Sequence, residues 1–392
     1  MNATASSHWP APEQASPDTC HPPSSRLPAG LGLVLALALA GCQSLTERAP
    51  DAPPPETVRA TLKRVIPTHV KDANGWAADI QTAFSLLGLP ATPASLCATI
   101  AIIEQESGFK VNPPVANLPV IAWKAIEDRA RSVGVPAFMV RAALKLPSPN
   151  GQSYAQRIDL ARTEKDLSEV FEDMISAVPL GNRLFGQYNP VRTGGSMQVS
   201  IAYAESHAAR RPYPYADADA GSIRQEIFTR RGGLYFGIAH LLDYPAQYPA
   251  MKYRFADFNA GHYASRNAAF QRALAVAINQ KLTLDGDLLN HADLSMDKPG
   301  ETERAARRFG VQIGLSDKTI RAMLLKGDSP DFEQTPLYKA AFAQADGKGA
   351  GNPMPRALVP DIQLSSPKIT RKLTTAWFAD RVDERYQRCL KR

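Results

Sequence analysis

Two carboxylates stand at the end of an apolar stretch, in Ile102-Ile103-Glu104-Gln105-Glu106-Ser107-Gly108-Phe109. A carboxyl group held against apolar side chains resists ionisation and can deliver a proton near neutral pH. That is what a poor leaving group, such as a glycosidic oxygen, requires. Glu104 and Glu106 lie two positions apart, about 200° around a helix, so they cannot share a face. Glu106 adjoins the Ser-Gly helix end and precedes Phe109, which makes it the better acid; Glu104 reads as an exposed carboxylate. No Ser-His-Asp arrangement accompanies Ser107, which reads as orienting Glu106 or binding substrate. Gly194-Gly195-Ser196-Met197-Gln198 carries an amide that both donates and accepts, beside an apolar methionine suited to a sugar ring. The same segment would also serve as a helix start with a core methionine. Phe255-Ala256-Asp257-Phe258-Asn259-Ala260-Gly261 offers Phe258 and Asn259 in the same way, though Asn-Ala-Gly also suits a turn. Asp257 and Glu205 are the remaining candidates for a second carboxylate, and Asp257 reads as solvated or turn-capping. No HExxH, paired CxxC or phosphate-binding glycine loop is present, so neither a metal nor a cofactor is expected. His240 reads as a core histidine.

Mostly helical elements must position these groups. Trp76, Ile80, Phe84 and Leu87 share one helical face. Thr92-Pro93 opens a helix whose buried face is Leu96, Ile100 and Ile103, with Gly108 as its C-terminal cap. Between 110 and 190 three helical patterns carry Ile121/Ala125/Ile126, Phe138/Val140/Leu144 and Val170/Phe171/Met174/Ile175. A Gly-, Asn- and Pro-rich loop then leads to a helix from about Ser196. A further helix or helix pair holds Ile223 to Leu242 and breaks at Gly232-Gly233. Two helices flank Asn259-Ala260-Gly261, and four more are expected at 301–312, 316–326, 334–344 and 366–390. The chain has 392 residues, 44% hydrophobic and 21% charged, which excludes a largely disordered chain and a polytopic membrane protein.

The formal charge is +7, which suits an anionic partner. Residues 31–40 (LGLVLALALA) are too short to span a bilayer but fit the core of an export signal. They end in Leu39-Ala40-Gly41-Cys42, which resembles the lipobox of a bacterial lipoprotein signal. The resemblance implies cleavage before Cys42, acylation of its thiol and, with Gln43 next, sorting to the outer membrane. Met1 to Ser25 is long, proline-rich and free of lysine, which departs from such a signal and points to a start further downstream. In the cell envelope the anionic partner would be wall polymer or lipid, not nucleic acid. Cys97 and Cys389 remain as an even pair that an oxidising compartment permits to join, or that stays as two thiols.

Taken in order, the three chemical segments resemble the motifs of lysozyme-like lytic transglycosylases: Glu-Ser at a helix end, Gly-Leu-Met-Gln, and Ala-Tyr-Asn-Ala-Gly. Leu234 to Leu242 is similar to the helix preceding the third motif. The likeness covers about residues 75–280. The whole chain also resembles the Gram-negative envelope lipoproteins of domain of unknown function family 1615. The first likeness implies a mainly α, lysozyme-like domain that cuts peptidoglycan glycan strands. Glu106 would be acid and base, and Ser107, Met197, Gln198, Phe258 and Asn259 would bind sugar. Ser196 replaces the family's usual leucine, and Phe258 its tyrosine, removing a hydroxyl from the site. The expected organisation is a signal at 1–41, a lipidated Pro-rich tether at 42–58 and a lysozyme-like domain at 59–290 with a helical insertion at about 110–190. A helical extension completes it at 291–392.

Overall fold

A computed structural model describes residues 53–177, 189–215, 221–290, 295–349, 352–365 and 371–392. The signal, the lipobox cysteine Cys42 and most of the tether lie outside the described residues. Pro53–Arg392 forms one compact unit. Among the described residues it is mainly α, with sixteen α-helices and four two-residue strands. None of these helices is long and apolar enough to cross a membrane.

The centre of the first core is α3 (Pro93–Glu106). Thr92 caps it by accepting from the Ser95 amide, and Pro93 takes the first position, where no amide hydrogen is needed. Every residue from Ser95 to Ile103 is buried, on all faces of the helix. Such a helix must be covered all round. The cover is made by α1 (Pro55–Val65), α10 (Arg230–Leu242) and α16 (Thr375–Leu390), and α2 (Ala73–Leu87) packs in turn on α1 and α10. On α2 the expected face Trp76, Ile80, Phe84 and Leu87 is buried in full. The last helix, α16, lies along both α3 and α11 (Met251–Ala260) and buries Phe378, Val382, Tyr386 and Cys389. Cys389 is disulfide-bonded to Cys97 of α3, with the Cα atoms 5.5 Å apart.

A second core forms around α12 (Ala264–Ala277), against α13 (Glu301–Gln312), α14 (Asp317–Leu324) and α15 (Pro336–Lys348). Phe270, Phe309, Phe332 and Leu337 are fully buried there. Two buried ionic groups order it. Glu303 accepts from Arg321 at 2.8 Å and Arg307 at 2.6 Å. Arg266 donates to the carbonyls of Ser329 and Gly327 and lies 4.3 Å from the Tyr263 ring.

Among its described residues the insertion holds four helices where three patterns were expected: α4 (Leu118–Ser132), α5 (Ala137–Ala143), α6 (Tyr154–Leu160) and α7 (Glu164–Ser176). Short α6 escapes periodicity, but its Ser153/Gln156 capping box marks its start. Phe138, in the second expected helical pattern, lies on α5 and is exposed.

Two other expectations are corrected. The helix after the glycine loop starts at Ile201, as α8 (Ile201–Arg210), not near Ser196. Residues 193–200 form a hairpin instead, with β1 (Thr193–Gly194) paired to β2 (Val199–Ser200). The next helix pair, α9 (Ile223–Ile227) and α10, breaks at Phe228-Thr229, where Thr229 caps α10. Gly232 and Gly233 sit inside the first turn of α10 because the chain crosses close by. A Cβ on Gly232 would lie 2.0 Å from the Glu226 carbonyl oxygen, backbone that cannot give way. Gly232→Ala is therefore expected to destabilise the body by about 1–3 kcal/mol, read from urea unfolding. The C-terminal strands β3 (Gln363–Leu364) and β4 (Leu373–Thr374) pair just before α16.

Candidate active site

Glu106 is the last residue of α3 and is half-buried, as is Glu104. The chain leaves the helix sharply. Ser107 caps it, and its hydroxyl donates to the Ile103 carbonyl at 3.1 Å. Gly108 and Phe109 follow at φ 56° and 61°. The left-handed geometry suits Gly108 and is uncommon for a phenylalanine. It turns the Phe109 ring inward, edge-on to Trp76 at 5.3 Å. A Trp76–Phe109 pair thus stands near the helix end, and no spacing in the sequence links Trp76 to it. Glu104 is not a simple exposed carboxylate: it faces α16, 3.2 Å from Arg388 and 3.6 Å from Arg385. The hydroxyl of Ser107 is committed to its own helix in this arrangement, which favours shaping the helix end over touching substrate.

The second segment is the turn of the β1–β2 hairpin. Gly195 stands at φ 74°, against the Ile227 carbonyl and the Cα of Gly233. Gln198 is half-buried at φ 50°, a conformation rare outside glycine and asparagine. Its amide donates to the Gly195 carbonyl at 3.3 Å and its oxygen accepts from Thr193 at 3.4 Å, so local bonds set its orientation. Met197 has no exposed surface. It packs on Gly237 of α10, where an added Cβ would lie 2.5 Å from Sδ. Its role here is core packing rather than contact with a sugar ring.

The third segment ends α11. Phe258 is half-buried and tilts onto His240 at 5.0 Å. Asn259 is exposed and accepts a hydrogen bond from the buried Thr375 hydroxyl at 2.9 Å. Asp257 is fully buried, so it is not solvated. It accepts from the Tyr248 and Tyr244 hydroxyls and from the Tyr263 and Ser265 amides, the latter within the first turn of α12. Burial pushes its carboxyl up while these donors pull it down. It is the turn cap, and its oxygens are spent on that.

The three segments, far apart in the chain, share a neighbour. Helix α10 packs against α3, against α11 and against the hairpin that carries Gln198. Near the first two segments, Gln105 Oε1 and Ser196 Oγ are buried without a hydrogen-bond partner among the described residues.

The family model described as "Protein of unknown function (DUF1615)" matches residues 69–392. The chain belongs to the DUF1615 family. It is 50% identical over 368 residues to "Uncharacterized protein YaiW" of Escherichia coli (strain K12), an alignment covering 92% of this chain and 97% of that protein. No solved structure matches.

This DUF1615 chain also encloses an imidazole cluster that sequence spacing does not reveal. His240 stacks on His262 at 4.6 Å, and both face Tyr203 of α8. His262 stacks in turn on Tyr244. His240 Nε2 lies 3.2 Å from the Phe258 carbonyl, and His262 Nε2 lies 2.7 Å from the His240 carbonyl. Burial, with His262 beside it, pushes His240 down to about 3; burial also lowers His262. The unfolded chain protonates His240 near 6.5, whereas the folded chain keeps it neutral down to about 3. The unfolded state therefore binds more protons below about pH 6.5, and stability falls as pH drops toward 3. The slope from His240 is up to about 1.4 kcal/mol per pH unit, and the lowering of His262 acts in the same direction. His240→Gln should shrink the loss of unfolding free energy between pH 7 and pH 5.

Two cavities lie elsewhere. One, of about 400 Å³, is lined by Tyr248, Arg266, Glu333 and Tyr338. The other, of about 750 Å³, is lined by Arg272, Lys281, Glu301 and Asp361. Glu106, Gln198 and Asn259 line neither. No group of three metal-ligating side chains is present among the described residues.

Proposed function

We propose that this DUF1615 protein is a lipid-anchored envelope enzyme of the lytic transglycosylase type, with Glu106 as its single acid and base. The supporting observation is a half-buried glutamate at the end of a helix buried from Ser95 to Ile103, three residues before Phe109, which packs on Trp76. In this mechanism the Glu106 carboxyl protonates the glycosidic oxygen as its bond to the sugar C1 breaks. The resulting carboxylate takes the proton of the muramic acid 6-hydroxyl, whose oxygen then bonds to C1. An anhydro sugar forms and no water is consumed. Gln198 and the exposed Asn259 would hold hydroxyl or acetamido groups of the peptidoglycan strand. No metal or cofactor enters. Acylated Cys42 would fix the body to the outer membrane, through the proline tether, within reach of the wall. Incubating Pro53–Arg392 with purified sacculi tests this, and anhydromuropeptides are the expected product.

A second reading is a non-catalytic wall-binding protein on the same frame. The burial of Met197 and the packing of Phe258 on His240 favour it, because both side chains are spent on the protein itself. Cosedimentation with sacculi without product would select this reading.

A further inference from the structure

The insertion carries an unusual surface. Val133, Phe138, Met139 and Leu146 are 65%, 73%, 52% and 63% exposed. All four belong to α5 or the turns on either side of it, and α5 has no buried residue. This seven-residue helix packs on the body chiefly through the partly buried Val140, yet it offers Phe and Met to solvent. Single exposed apolar residues are ordinary, but a group of them at one tip marks a contact surface.

Charge identifies the contact. Residues 118–162 hold seven Lys or Arg against three Asp or Glu, a net charge of +4 out of +7 for the whole chain. Arg131, Arg141 and Lys145 flank the apolar group and are exposed; Arg131 pairs with Asp128 and Arg141 with Glu127 of α4, and the lobe keeps its net positive charge with these pairs counted. Cations with long stems beside an exposed phenylalanine suit the interface of an anionic bilayer, where the ring enters the acyl boundary and the charges stay at the headgroups. A protein groove would not need the cations, and a second copy of this lobe would have to bring like charge against like charge.

We infer that the α4–α5 tip is a membrane-contact element that seats on an anionic lipid surface without help from the acyl anchor. Pro53–Arg392, which is compact by itself and lacks Cys42, is suited to the test. It should sediment with phosphatidylglycerol–phosphatidylcholine vesicles and bind pure phosphatidylcholine vesicles at least ten-fold more weakly. The triple variant Val133→Asp, Phe138→Asp, Met139→Asp should lose at least ten-fold in affinity with unchanged circular dichroism and melting temperature. Phe138→Trp should show a blue-shifted emission on the anionic vesicles alone. Failure of the native body to bind the anionic vesicles would overturn the inference. So would equal binding by the triple variant, or a native dimer that the triple variant converts to monomer, since that makes the tip a self-association surface.

Discussion

If the proposed mechanism holds, Glu106→Gln should cut release of anhydromuropeptides from sacculi below detection with the fold and melting temperature unchanged, the largest effect expected of any single substitution on activity. The exchange keeps the shape of the side chain at the end of α3 and removes only its capacity to give up and regain a proton. Because one carboxyl serves both steps in the proposed mechanism, nothing else nearby compensates. Asp257 is buried and spent on capping α12, and Glu104 is held toward Arg388 and Arg385 on α16. Loss of general acid–base catalysis alone is expected to slow the reaction by about 10²- to 10⁴-fold. Chromatography of muropeptides from matched digests measures it. Equal yields from both proteins would remove Glu106 from the mechanism. Absence of product from both, with binding retained, would favour the non-catalytic reading.

The largest effect on stability is expected from opening the Cys97–Cys389 bridge. It joins positions 292 residues apart, so it restricts nearly the whole body in the unfolded state. Loop-closure entropy grows only slowly with length, and removing such a bridge costs about 2–5 kcal/mol. The seam it closes is shared by the Glu104 ion pairs with α16, so the loss concentrates there. Cys389→Ser, or a reductant on the native chain, should lower the melting temperature by a similar amount. Amide hydrogen exchange should rise first in α16. Unchanged exchange in α16 would mean that packing alone holds the seam.

The helical class and most helix positions were legible because the apolar residues recur at helical spacing and the caps are explicit. Thr92-Pro93 and Gly108 bounded α3, and the Trp76–Leu87 face was buried as read. Other glycines are misleading in sequence. Gly232-Gly233 look like a helix break in sequence, but they are close-approach positions inside α10, and the hairpin at 193–200 is too short for any periodicity to show. Phe138 does lie on a helix, α5, but a lone apolar pattern does not say whether the body or solvent lies opposite it.

Around the site, Glu106 could be singled out because a carboxylate after a wholly apolar helix is conspicuous. Its Trp76 wall, the Thr375 bond to Asn259 and the imidazole pair beside Phe258 depend on contacts between distant segments. A side chain such as Met197 suits a sugar face and a protein interior equally well, and only the position of Gly237 decides between them.

Helix α16 is among the last parts of the chain to be made, yet it lies along α3, near the middle of the structure. The first core therefore cannot be completed until synthesis has passed residue 390. Before then, the flank of α3 that α16 covers stays open, so closure of this core is the last step that the order of synthesis allows.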